Sequence, residues 1–288
     1  AVDGVVERSE SGWNATGIDW TFDQEHYDGV LAQRQREADL MRAYGRGERC
    51  LMQVLQEALD DPSATVCGRC SVCTGSLPAG VSAEPEVAIT RNVAALLRRR
   101  PNLVEPRKMW PGGAFGRKGR ISAAEQVEIG RALIHADAPE WRELVATTFG
   151  DGPAADAPPT HELIDAVVGV LTSWRNDWPA RPEVVVGLPA AGYSQFVAGL
   201  VRAVADVGRL ATADLPLRPG EPPSRDLTSP DEAAHWQARL APASPVAGRV
   251  VLLLVDATSS RWPVTVAGAM LRQAGADRVL PLVVHQPA

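Results

Sequence analysis

Residues 249–284 read RVVLLLVDATSSRWPVTVAGAMLRQAGADRVLPLVV. Arg249 to Val255 is a strand-like run, unbroken apolar from Val250, closed by Asp256 and a Thr/Ser cluster. A run this short and continuous is the mark of a strand buried on both faces. Val264 to Ala274 then carries apolar residues at helical spacing, and Gly275 stops it. Val279 to Val284 is a second run like the first. Strand, helix and strand in this order predict a parallel sheet covered on both faces.

The pattern extends upstream to His161. Leu163 to Trp174 reads as a helix, Val184 to Leu188 (VVVGL) as a buried strand, PAAG as its turn and Tyr193 to Val207 as the next helix. A long polar, proline-rich segment, 214–247, separates this half from the final strands. DGPAADAPPT at 151–160 has the composition of a linker, so a domain boundary is expected there. Before it, Ser122 with Glu125 is a capping-box pair. Ile129, Leu133 and Ile134, then Trp141, Leu144 and Val145, predict supporting helices over 122–150.

Residues 91–120 are the strongest electrostatic feature of the chain. Arg91, Arg98, Arg99, Arg100, Arg107, Lys108, Arg117, Lys118 and Arg120 face only Glu105, a local net of +8 in a chain of net charge −6. Arg98–Arg100 also complement the end of a helix predicted over 86–100. Trp110 and Phe115 interleave the run, and Gly112, Gly113, Gly116 and Gly119 loosen it. Cations neutralise phosphates and exposed rings stack on bases, so this stretch is a candidate DNA contact. The competing reading is a solvated loop that packs Trp110 into a neighbouring domain.

The four cysteines are Cys50, Cys67, Cys70 and Cys73. Three lie in one C-x2-C-x2-C loop, and the fourth is upstream. Four thiolates close a tetrahedral zinc site with no open position, which is a structural site. Three cysteines this close pair poorly as disulfides. Upstream, residues 21–60 read as two helices, the first opened by Thr21 with Gln24 and broken by Gly45 and Gly47, the second ended at Asp61-Pro62. Arg42, Arg46 and Arg49 approach Cys50 along this stretch. At the start, Val5-Val6 and Trp13 to Thr16 predict a hairpin.

Residues 34–73, RQREADLMRAYGRGERCLMQVLQEALDDPSATVCGRCSVC, closely resemble the zinc-binding module of RecQ-type DNA helicases. The resemblance implies a module that holds DNA beside a motor, and it makes the GWNATG hairpin similar to the end of a winged-helix element. The stretch 249–284 resembles the phosphoribosyltransferase family, in which a strand ends in two acids and a Thr/Gly-rich loop cradles the phosphate of an activated ribose. Asp256 matches the first acid, but Ala257 stands at the second position. Trp262 and Pro263 occupy places where the family keeps glycine and a free N–H. Thr258, Ser259, Ser260 and Thr265 remain as a degenerate anion loop. Together the two resemblances imply the C-terminal portion of a bacterial RecQ-like, ATP-dependent 3′→5′ helicase. The runner-up readings are a zinc-containing transferase and a module that recruits a protein partner.

The expected fold is multidomain: a small helical zinc module plus an α/β parallel-sheet domain similar to phosphoribosyltransferases. Its parts are 1–20 (winged-helix end), 21–82 (zinc module), 83–156 (basic connecting subdomain) and 157–288 (the α/β domain). Zinc is the expected structural cofactor, and ATP with Mg2+ would belong to a motor. No G-x-x-x-x-G-K-[ST] loop occurs; GGAFGRKGR at 112–120 has the wrong spacing. No apolar stretch reaches the length of a membrane span. DNA is the expected partner, in the cytoplasm at the nucleoid.

Overall fold

The computed structural model describes residues 4–9, 12–98, 102–136, 138–224 and 226–287. The chain divides into two compact units, residues 1–86 and 87–288. Arg99 and Arg100 of the basic run lie outside the described residues.

The first unit opens with a hairpin of β1 (Val6–Ser9) and β2 (Gly12–Ala15), paired antiparallel with Val6 opposite Ala15. The long helix α1 (Gln24–Arg46) follows. Its N-cap is Asp23, whose Oδ1 accepts the His26 N–H at 2.9 Å, rather than the expected Thr21. An aspartate directly before the first turn offers both an acceptor and a charge that suits the helix dipole. Gly45 does not interrupt α1; Gly47, at φ 67°, ends it. Helices α2 (Leu51–Ala58) and α3 (Ser71–Thr74) begin directly after Cys50 and Cys70. Only Cys50 and Val54 are buried among the described residues of this unit. Two buried side chains are far from a hydrophobic core, so packing alone does not hold these helices.

The second unit contains α4 (Val87–Leu97), β3 (Asn102–Val104), β4 (Met109–Pro111), β5 (Lys118–Arg120), β6 (Gly130–His135), α5 (Arg142–Phe149) and α6 (His161–Trp174). Then come β7 (Val184–Leu188), α7 (Ser194–Gly208), β8 (Ala211–Thr212), α8 (Ser229–Arg239), β9 (Val250–Ala257), α9 (Trp262–Gln273) and β10 (Arg278–Gln286). Six strands form one sheet in the order β3-β6-β10-β9-β7-β8. All neighbours run parallel except the edge strand β3, which is antiparallel to β6.

The long apolar strands are explained by burial on two faces. Val251, Leu253 and Val255 of β9 point to one core, with Trp236 of α8, Trp262 and Leu271 of α9, and Trp110 and Phe115 of the β4–β5 hairpin. Val250, Leu252 and Leu254 point to the other, with Leu144, Leu163 and Val167 of α5 and α6 and Phe196 and Leu200 of α7. Alternation across the pleat thus sends neighbouring residues of one strand into separate cores.

Several expectations are corrected here. Residues 130–135 are strand β6, not helix. A short apolar run does not by its periodicity distinguish a buried strand from a helix. Gly130 sits so close to β10, its neighbour in the sheet, that an added Cβ would lie 2.3 Å from the Pro281 carbonyl oxygen. The boundary expected after residue 156 falls inside the unit, because β6 pairs with β10. The linker-like segment is tied in as well: the Asp156 carboxylate accepts the N–H groups of Gln195 and Phe196 at 2.6 and 3.0 Å and so caps α7. The polar segment 214–247 contains α8, whose Ala233 and Trp236 are buried. Among the described residues, no helix is long and apolar enough to cross a membrane.

Candidate metal centre and sheet-end cleft

The four cysteine sulfurs lie within 4.8 Å of one another. Cys70 Sγ is 3.9 Å from Cys50 Sγ and 3.5 Å from Cys73 Sγ. A tetrahedral zinc with sulfurs at ~2.3 Å separates them by roughly 3.8 Å. These separations match that value and are far too long for disulfides. The backbone prepares the sulfurs for negative charge. Cys67 N–H donates to Cys50 Sγ and Cys70 N–H to Cys67 Sγ, each at 3.3 Å. The N–H of Cys73 pulls the Cys70 thiol down to about 6, and shared protons with Cys70 push Cys73 up to about 12. A four-sulfur cluster of this size and charge can hold a metal ion such as zinc.

The loop meets α1 directly. A Cβ added to Gly47 would approach Val72 Cγ2 to 3.2 Å, and φ there is 67°. Of the arginines near this contact, Arg42 pairs with Asp39 at 2.6 Å, Arg46 with Glu48 at 2.5 Å and Arg49 with both oxygens of Glu57 at 2.6 Å. All three remain about half exposed. Surface pairs like these are weak and screened, so they leave the cations able to change partners. Arg69, inside the cysteine loop, was not singled out by its sequence context; it is exposed and has no ion pair to a described residue.

The basic stretch splits into two classes. Trp110 and Phe115 are each 6% exposed and stack on each other at 5.1 Å. Neither ring offers a face to a base, because both fill the core beside α8. Arg117 lies 4.1 Å over Trp110 and pairs with Glu125 at 2.7 Å. Arg107 lies 4.0 Å over Trp262. Arg98 donates to the Glu140 carbonyl and covers Trp141. These three cations serve as packing lids over indoles. Lys108, Lys118 and Arg120 are exposed and form no ion pair with a described residue.

A third feature lies at the carboxyl ends of the strands. From β7 the chain moves outward to β8, then returns to β9 on the opposite side of β7. Ligands of open α/β sheets bind in the crevice at such a switch point. A cleft of about 560 Å³ opens here, bordered by Phe149, Tyr193, Ser224, Glu232, Trp236 and Ser259. Asp256, which ends β9, does not reach it as a free acid. It is fully buried, and its carboxylate accepts N–H groups from Ala191 and Tyr193 of the loop after β7. Thr258 Oγ1 donates to the Ser260 carbonyl, Ser260 Oγ meets Glu232 at 2.5 Å, and the buried Thr265 bonds the Arg261 carbonyl. Of the degenerate anion loop, only Ser259 keeps an exposed hydroxyl. The Glu232 carboxylate, bonded to Ser260, borders the same cleft.

Searches with protein-family models, curated proteins and solved structures return no match to this chain.

Proposed function

We propose that this chain is the motor-less, C-terminal part of a RecQ-like DNA helicase, whose own task is to hold DNA. Its cysteine cluster would carry a structural zinc ion. The observation that carries this reading is the gathering of the four C-x16-C-x2-C-x2-C sulfurs at the end of the arginine-bearing helix α1. With two buried residues among those described, the unit depends on that cluster for its shape, and a bound ion would fix the helix that presents Arg42, Arg46 and Arg49. Lys108, Lys118 and Arg120 supply further unpaired charge on the second unit. ATP hydrolysis and 3′→5′ direction belong to the resemblance, and no nucleotide loop is present in these residues.

The second unit is read as a sheet similar to phosphoribosyltransferases that has lost transfer chemistry. Asp256 is committed to its neighbour's backbone, and Glu232 repels a diphosphate. The transferase alternative requires the opposite of both. The test is forked-DNA binding by fluorescence anisotropy across a salt series, with phosphoribosyl diphosphate titrated separately. The proposed function expects nanomolar-to-micromolar affinity that weakens steeply with salt, and no binding of the sugar diphosphate. Absence of DNA affinity at low salt, or clear saturation by the sugar diphosphate, would reverse the preference.

A further inference from the structure

A second depression, of about 440 Å³, lies between the end of β3 and the loop that opens α9. Two guanidinium groups border it, Arg107 and Arg261. Arg107 is pressed against the Trp262 ring at 4.0 Å, and its Nε is buried with no hydrogen-bond partner. It forms no ion pair with a described residue; burial and then the charge of Arg261 lower its pKa, and the Glu232 carboxylate offsets only part of this. Arg261 donates one N–H to the Glu105 carbonyl at 2.9 Å and keeps the rest of its fork free of any described partner. The Oε1 of Gln286, also on this border, is buried and unpartnered. An amide turned about its last bond presents N–H instead.

Two cations drawn together with a stranded donor are unfavourable until an anion joins them. The acids nearby do not fill that place. Glu105 borders the depression but its carboxylate pairs with neither arginine, and Glu232, whose charge reaches Arg107, is bonded to Ser260 and forms no ion pair with either. Arg107 is locked by the indole beneath it, so its planar fork is preorganised for oxygen atoms in one plane. We infer that Arg107 and Arg261 form an oxyanion site that takes a phosphate group. That phosphate belongs either to a DNA backbone or to a free phosphoryl compound. The inference deepens the DNA-holding function and rests on it only for the choice of source.

The experiment titrates the full chain with inorganic phosphate by phosphorus NMR, and a single-stranded oligonucleotide by anisotropy. Native protein is compared with Arg107→Gln and Arg261→Gln. Arg261→Gln leaves the Arg107–Trp262 stack in place, so it guards against a folding artefact. Saturable phosphate binding, weakened about tenfold or more in both variants, is expected. If the oligonucleotide competes with phosphate and its salt slope falls by about one in Arg261→Gln, the source is a DNA phosphate. If phosphate binds without such competition, the source is a free phosphoryl compound and the DNA-holding function loses this contact. Unsaturable phosphate binding, or equal binding by native protein and Arg261→Gln, overturns the inference even where DNA still binds elsewhere.

Discussion

The carboxylate of Asp256 accepts the backbone N–H of Tyr193 at 3.1 Å, tying the end of β9 to the loop after β7. Burial pushes its pKa up to about 7, against the pull of backbone N–H groups from Ala191, Ala257, Tyr193 and Ala190. An unfolded aspartate titrates near ~3.9. Between those values the folded chain holds a proton that the unfolded chain does not. The side chain's contribution to stability is therefore full at the acidic end and is lost as pH rises through about 7, by at most about 1.4 kcal/mol per pH unit. Urea unfolding followed by tryptophan fluorescence should show this fall in the native chain and not in Asp256→Asn. A native-minus-variant difference that stays constant with pH would rule it out.

Cys50→Ser removes the sulfur that joins the start of α2 to the cysteine loop. Metal content should fall below one ion per chain, and limited proteolysis should cut residues 24–74 while sparing the second unit. The reason is the scarcity of other support: Val54 would be the last buried residue among the described residues of the first unit. A strong chelator should reproduce the effect on the native chain. Full metal content and an unchanged cleavage pattern in the variant would show that the cluster is not the unit's support.

The central strands and the cysteine cluster were legible because their signals are local. β9 and β10 announce themselves as unbroken apolar runs, and the cysteines by spacing. What the sequence hid depends on distant partners. GRALIH at 130–135 is a strand because β10 stands beside it. Residues 151–160 look like a linker, yet Asp156 caps helix α7 some forty residues on. Asp256 looked like a ligand-facing acid, and only the folded loop after β7 reveals what it binds. Trp110 among cations resembles a base-stacking site in one dimension. In three dimensions α8 and Arg117 cover it.

That burial separates two sets of variants in the basic stretch. Trp110→Ala empties a core position and should destabilise the second unit by about 3–5 kcal/mol. Its effect on DNA affinity should vanish at temperatures where the variant is fully folded. Lys118→Glu and Arg120→Glu sit on exposed β5 and should leave the folding stability within about 0.5 kcal/mol of native. They should lower DNA affinity and flatten its salt dependence. Calorimetry and anisotropy on the same preparations compare the two sets; DNA binding untouched by both charge reversals would remove β5 from the interface.

Gly268 offers the sharpest test of how α9 lies on the sheet. It is a mid-helix glycine that costs helix propensity, and an alanine there would normally be welcome. Its place is instead set by Val127, in the segment between β5 and β6: an added Cβ would lie 2.0 Å from Val127 Cγ1. Gly268→Ala must therefore push α9 or Val127 outward. A loss of about 1–3 kcal/mol is expected, lowering the melting temperature of the second unit by several degrees. Val127→Ala removes the obstructing methyl groups and should recover part of that loss in the double variant, a coupling that independent sites would not show. If Gly268→Ala were neutral or stabilising, the close approach of α9 to this segment would be wrong.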